Sequence, residues 1–104
     1  MSVQDHLWLV LFRDDVGMLD VRKQFRQEHI KFLETNREVI KLAGGLRYNF
    51  DQDFVGGSWV VKAACKERVV ELIESDPYYS RDHRHYEVFY WGLVTEQMRD
   101  RIVA

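Results

Sequence analysis

Two segments of this chain are apolar at both strand parities, and that limits the folds open to it more than any other feature. In Leu7-Trp-Leu-Val-Leu-Phe12, Leu7, Leu9 and Leu11 fall on one side of an extended chain, and Trp8, Val10 and Phe12 fall on the other. Near the other end, Tyr86, Val88 and Tyr90 oppose Phe89, Trp91 and Leu93. A strand in a one-sided sheet alternates apolar and polar residues, so a strand apolar on both sides has to be covered twice.

Periodicity supplies the elements between these strands. Leu7 to Arg13 reads as a strand, Asp14 to Gly17 as a turn, and Met18 to about Ala43 as a helix ended by Gly44-Gly45. A short strand follows over Leu46 to Phe50, then a loop over Asp51 to Gly57 and a strand over Ser58 to Ala63. Lys66 to Ser75 makes a second helix with Val69, Val70, Leu72 and Ile73 inward. Asp76-Pro77 stops it, because the residue before a proline is pushed out of the α region. Tyr78 to His83 forms a loop, His85 to Leu93 the last strand, and Thr95 stands where it can cap a helix running to Val103.

The order is βαββαβ with a tail. It predicts an α+β, ferredoxin-like fold: a four-stranded antiparallel sheet, two helices on one face, and an extra short C-terminal helix. Two helices leave the second sheet face uncovered, and a second copy of the sheet is the economical cover, so a homodimer through the sheet face is expected. A monomer with a merely aromatic, amphipathic outer face is the alternative.

The 104 residues are expected to form one domain over 1–104, with a core of about 7–93 and a helical tail over 94–104. A net charge of −2 gives no push toward nucleic acid or an anionic membrane surface. The run Leu7 to Phe12 is far shorter than the roughly 20 residues of a membrane span, and no basic segment typical of a signal peptide precedes it. The single cysteine, Cys65, closes no intrachain disulfide and belongs to no cysteine cluster. The chain is therefore expected to be cytoplasmic, with no nucleic-acid partner, no membrane and no metal. Gly44-Gly45 and Gly56-Gly57 lack a phosphate-loop pattern, and no cofactor is expected.

One titratable group sits where the helical pattern asks for oil. At about 100° per residue, with Phe25 as zero, Val21, Phe32, Val39 and Ala43 cluster within about 40° of it; His29 lies near +40°, with Asn36 and Arg22 on the same flank. Spacing leaves two readings open. His29 is either a core histidine satisfied by hydrogen bonds, with Asn36 and Arg22 reaching outward at the edges, or the working group of a site. Tyr48, Trp59 and Tyr78 either wall an aromatic pocket or fill the interior. His83-Arg84-His85 resembles a two-histidine metal motif on a strand but lacks a third ligand. With Arg81 it reads as a basic edge, either a solvated loop or a patch that could hold an anionic substrate.

A chain of this length and order, with Arg26-Gln-Glu-His29 on the first helix, Ala43-Gly44-Gly45 and Gly56-Gly57 around the middle strands, and Ser75-Asp76-Pro77-Tyr78 after the second helix, resembles the YCII-related family. That family is similar to the dimeric α/β-barrel superfamily, which includes muconolactone isomerase-like enzymes. The resemblance runs from about Leu7 to Trp91 and implies that His29 and Asp76 form an active-site pair. It also departs from the family pattern: Gly45-Leu46 stands where Gly-Pro is usual, Cys65 where a Ser or Thr cap is usual, and the first helical stretch and the tail are longer. Those departures bear on substrate size.

The chemistry suits the residue types. An imidazole ordinarily titrates near pH 6.5, so it can give or take a proton at neutral pH. A carboxylate bonded to one ring nitrogen sets the tautomer and leaves the other nitrogen for a substrate. No activated serine or cysteine accompanies the pair, which favours proton transfer over covalent acyl transfer. The expectation is an isomerase or lyase acting on a small acidic or lactone-like metabolite, with His29 and Asp76 catalytic and Arg22, Asn36, Tyr48, Trp59 and Tyr78 binding substrate. The alternative is a non-catalytic dimeric module that holds a small acid without transforming it.

Overall fold

Strand β1 (His6–Asp14) lies inside the sheet, between β3 (Gly56–Ala63) and β4 (Arg84–Tyr90), and β2 (Ile40–Leu46) pairs on the far side of β3. All neighbours are antiparallel, in the order β2-β3-β1-β4. Helix α1 (Met18–Thr35) follows β1, α2 (Lys66–Ser75) follows β3, and α3 (Glu96–Val103) closes the chain. The computed structural model describes residues 5–103. The ends of the expected 1–104 domain, residues 1–4 and 104, lie outside the described residues. The α+β, ferredoxin-like sheet is the expected one.

Both faces of β1 carry large apolar side chains, and the helix-side core takes only one of these sets. Val10 and Phe12 face the helices and form the core with Ile40, Trp59, Val61, Ala63, Val69, Leu72 and Ile73; Trp8, Phe32, Leu33, Tyr86 and Val88 pack around it. The other side of β1 faces away from α1 and α2. There Leu9 pairs with Phe89 on β4 and with Val60 on β3, and Val60 pairs with Leu42 on β2. One apolar row therefore crosses all four strands. Leu42 and Phe89, at its ends, are 59% and 43% exposed, far more than side chains of this size in a closed core.

Three sequence expectations are corrected. The first helix ends at Thr35 and does not reach Ala43. Asn36 is the reason: its Nδ2 donates to Phe32 O at 2.8 Å, its backbone leaves the helical region, and Val39 N and Ile40 N both donate back to Asn36 O. The Val39 and Ala43 spacing that continued the helical stripe was coincidental, because those residues lead into and lie on β2. Gly44-Gly45, read as a helix stop, is inside β2, and Arg47 to Phe50, read as strand, belongs to the following loop. Arg84 is not part of a solvated edge but is buried, at 5% exposure. Strand alternation places it on the helix side of the sheet, opposite Asp14.

Other expectations hold locally. α2 spans Lys66–Ser75, and Asp76 before Pro77 takes an extended backbone. Thr95 Oγ1 accepts from Met98 N at 3.1 Å, as an N-cap should. No helix among the described residues is long and apolar enough to cross a membrane.

Candidate active site

Helix α1 carries Arg22, Arg26 and His29 at spacings of four and three, which places them along one face. The backbone departs from helical geometry at Phe25 (φ −114°, ψ 16°), so this face bends between Arg22 and Arg26. Opposite His29 stands the end of α2. Pro77 forbids a further helical turn, Asp76 turns out of the helix, and its side chain, only 2% exposed, meets the imidazole: His29 Nδ1 lies 2.7 Å from Asp76 Oδ1.

The same oxygen accepts the backbone N–H of Tyr78 at 3.0 Å. The Tyr78 ring lies flat on the imidazole, with centroids 3.7 Å apart and planes 7° from parallel, and its hydroxyl donates to Arg22 O at 3.3 Å. His29 is thus held at one nitrogen and over one face. With Asp76 ionised, Nδ1 carries the proton and Nε2 the free lone pair. Nε2 has no hydrogen-bond partner among the described residues.

A cavity of about 160 Å³ adjoins His29, bounded by Arg22, Arg26, Trp59, Tyr78, Arg84 and the β2 glycines. Two of the groups lining it, Arg22 and Arg84, belong to an ion-pair network with Asp14. Asp14, whose side chain is fully buried, accepts from Arg84 Nε at 2.8 Å and Nη2 at 2.9 Å, a bidentate pair, and from Arg22 Nη2 at 3.2 Å. Arg22 Nη2 also donates to Gly56 O at 2.8 Å, while its Nε is buried without a partner among the described residues. Gly56 permits the close approach of β3 to β1, since a Cβ there would fall 2.1 Å from Phe12 O. The Arg22 guanidinium lies over the Phe54 ring at 4.8 Å and over the Tyr78 ring at 5.6 Å, so aromatic groups flank it.

The structure therefore brings His29, Arg22, Trp59 and Tyr78 around one cavity, with Asp76 bonded to His29. Trp59 is 3% exposed and packs edge-on against Phe12, so it serves the core and the cavity wall together. Two expected members stand apart. Asn36 spends its amide on Phe32 O as the helix cap, and Tyr48 is 86% exposed on the loop after β2. His83 Nδ1 pairs with Asp15 at 2.9 Å, away from His85, and no group of three potential metal ligands converges among the described residues.

Sequence reasoning missed Asp14, Arg26 and Phe54, and it saw Arg84 only as part of a basic edge, not as the buried partner of Asp14. The one available hint was Asp14 at the end of the apolar run in β1, where a carboxylate bound for the interior needs a cation.

A family model described as the YCII-related domain matches residues 6–92. Among solved structures, the chain is similar to 5-chloro-2-hydroxyhydroquinone dehydrochlorinase from Burkholderia phenoliruptrix, described in complex with 2,5-dihydroxybenzoquinone. Identity is 24%, the TM-score is 0.70, and the match covers 83% of this chain and 93% of that one. No curated protein matches the chain.

Proposed function

The chain belongs to the YCII-related family, and from that premise we propose that it is a small lyase- or isomerase-type enzyme that moves a proton on a small acidic or lactone-like metabolite. The observation that carries this reading is the 2.7 Å bond between His29 Nδ1 and Asp76 Oδ1 at the edge of a cavity. Asp76 holds the imidazole in the tautomer whose Nε2 is basic, and it stabilises the imidazolium once a proton has been taken. Tyr78 fixes the ring plane by stacking on it and by donating its backbone N–H to Asp76. Arg22 and Arg26 supply positive charge on the same helix face, which suits a substrate with an acidic oxygen.

In an elimination, His29 Nε2 removes the proton, the released electron pair forms the new double bond, and the leaving group departs with its own pair. In an isomerisation the imidazolium returns the proton to a second carbon. The similar fold of a dehydrochlorinase supports the lyase-type form.

The active assembly in this reading is a homodimer joined through the open sheet face. The ends of the row Leu42–Val60–Leu9–Phe89 support it, because Leu42 and Phe89 remain 59% and 43% exposed although Val60 within it is buried, and large exposed apolar side chains flanking a buried centre suit a partner surface. Light scattering after size exclusion should give twice the 12.5 kDa chain mass, and a clean monomer at micromolar concentration would overturn the dimer.

Catalysis is tested with wild type, His29→Gln and Asp76→Asn, screened against lactones and halogenated hydroxy-acids for turnover and for binding, with melting followed in parallel. Turnover should vanish in both variants. Stability should fall only toward the low end of the roughly 1–3 kcal/mol cost of stranding a buried partner, because Asp76 keeps the Tyr78 N–H. Binding without turnover in wild type would support the binding module instead. A collapse of melting in His29→Gln with no ligand found would make His29 a packed core residue.

A further inference from the structure

Phe54 has no part in the proton transfer described above, yet its ring is held by several contacts. It lies in the segment 47–55 between β2 and β3, whose base is pinned by Val55 N donating to Leu46 O and Asp14 N donating to Val55 O, each at 2.9 Å. Two guanidinium groups, those of Arg22 and Arg47, sit over its ring, each 4.8 Å from the centroid. The ring also presses onto Gly45: a Cβ at that position would fall 2.6 Å from Phe54 Cδ1 and 2.7 Å from Cε1, so this seat exists only over a glycine.

The ring lines two spaces: the 160 Å³ chamber beside His29 and an outer pocket of about 350 Å³ bounded also by Leu19, Lys23 and Asp53. Both spaces are lined by Phe54, Arg22, Arg26 and Tyr78. The inner volume is close to the roughly 150 Å³ that holds one benzene ring, and it is well below the roughly 300 Å³ at which drug-sized ligand sites begin.

We infer that Phe54 is the specificity-determining wall of the site, restricting ligands beside His29 to acids no larger than one six-membered ring by separating the inner chamber from the outer pocket. This inference rests on the chamber being the ligand site. Phe54 makes no ring-stacking or hydrogen-bond contact with His29 or Asp76, and its role is to set size. Removing the ring joins the two spaces and leaves Arg22 and Arg26 facing the enlarged volume.

The test compares benzoate and 2-naphthoate as anionic probes in titration calorimetry of the full chain, wild type against Phe54→Ala. Gly45→Ala is a second variant that unseats the same ring without altering it. Wild type should favour benzoate by about tenfold or more, the effect of forcing a second ring into a filled space. Both variants should lose that preference. Benzoate binding retained with the preference unchanged would overturn the inference.

A second readout needs no ligand. Diethyl pyrocarbonate acylates an accessible imidazole nitrogen, and peptide mass mapping reports His29 separately from His6, His83 and His85. Its labelling rate at His29 should rise several-fold in Phe54→Ala and in Gly45→Ala. An unchanged rate in folded variants would refute the partition whatever the calorimetry shows. If neither acid binds any of the proteins while labelling rises as expected, the wall stands and the ligand-site reading fails.

Discussion

Asp14→Ala should be the most damaging single substitution in the ion-pair network beside the cavity, and the geometry sets its size. The carboxylate is fully buried and accepts three hydrogen bonds, two from Arg84 and one from Arg22. Removing it leaves the Arg84 side chain, 4% exposed, with no anion in reach, and leaves Arg22, 16% exposed, with only the Gly56 carbonyl. Breaking a buried pair from one side costs about 3–5 kcal/mol, a large part of the roughly 5–15 kcal/mol that holds a domain together. With a urea dependence of about 1–2 kcal/mol per molar, the unfolding midpoint should fall by roughly 1.5–5 M. Far-UV circular dichroism in urea measures this at one fixed protein concentration, since association would otherwise shift the midpoint. Added salt should change the loss little, because the pair is shielded from solvent. Asp14→Leu combined with Arg84→Met should recover much of it, since neither charge then has to be desolvated. A midpoint shift below about 0.5 M for Asp14→Ala, or a double variant no better than the single, would refute the view that this network carries an uncompensated-charge penalty.

Other outcomes follow from particular residues. Cys65 is the exposed N-cap residue of α2, with an extended backbone and no side-chain cap bond, so Cys65→Ser should leave ligand binding intact and stabilise the fold by about 0.5–1 kcal/mol, read as a higher melting temperature. Burial and the neighbouring Glu74 raise the Tyr86 phenol above its ordinary value of 10.0. The folded state therefore holds that proton more tightly than the unfolded chain: the associated stability is full below pH 10 and is lost as pH rises through the folded-state value. Tyr86→Phe should flatten that alkaline decline in melting temperature; an identical decline in both proteins would assign it elsewhere. Phe89→Lys, at the exposed end of the apolar row, should shift the mass seen by light scattering from two chains to one, with near-native circular dichroism.

What the sequence determined by itself was local. Apolar runs at both parities marked β1 and most of β4, though β4 ends at Tyr90 and not at Leu93 and β2 was misplaced, and three-to-four spacing together with Asp76-Pro77 bounded α2, because these signals act within one or two turns of chain. The same kind of evidence misplaced the end of α1. Val39 and Ala43 extended a helical stripe, but pairing with β3 and the Asn36 cap outweighed a periodicity that either structure satisfies over so few residues. His29 was visible as a polar intruder, and its partner was suggested by family resemblance; that Asp76 Oδ1 meets Nδ1 and Tyr78 covers the ring is a fact of tertiary structure. The remaining parts of the site join residues far apart in the chain: Asp14 to Arg84, and Phe54 to Arg22 and Gly45. No local propensity encodes such contacts. They exist because antiparallel pairing brings β4 beside β1 and β2 beside β3, and because a carboxylate carried into that interior is stable only against the cation that arrives with it.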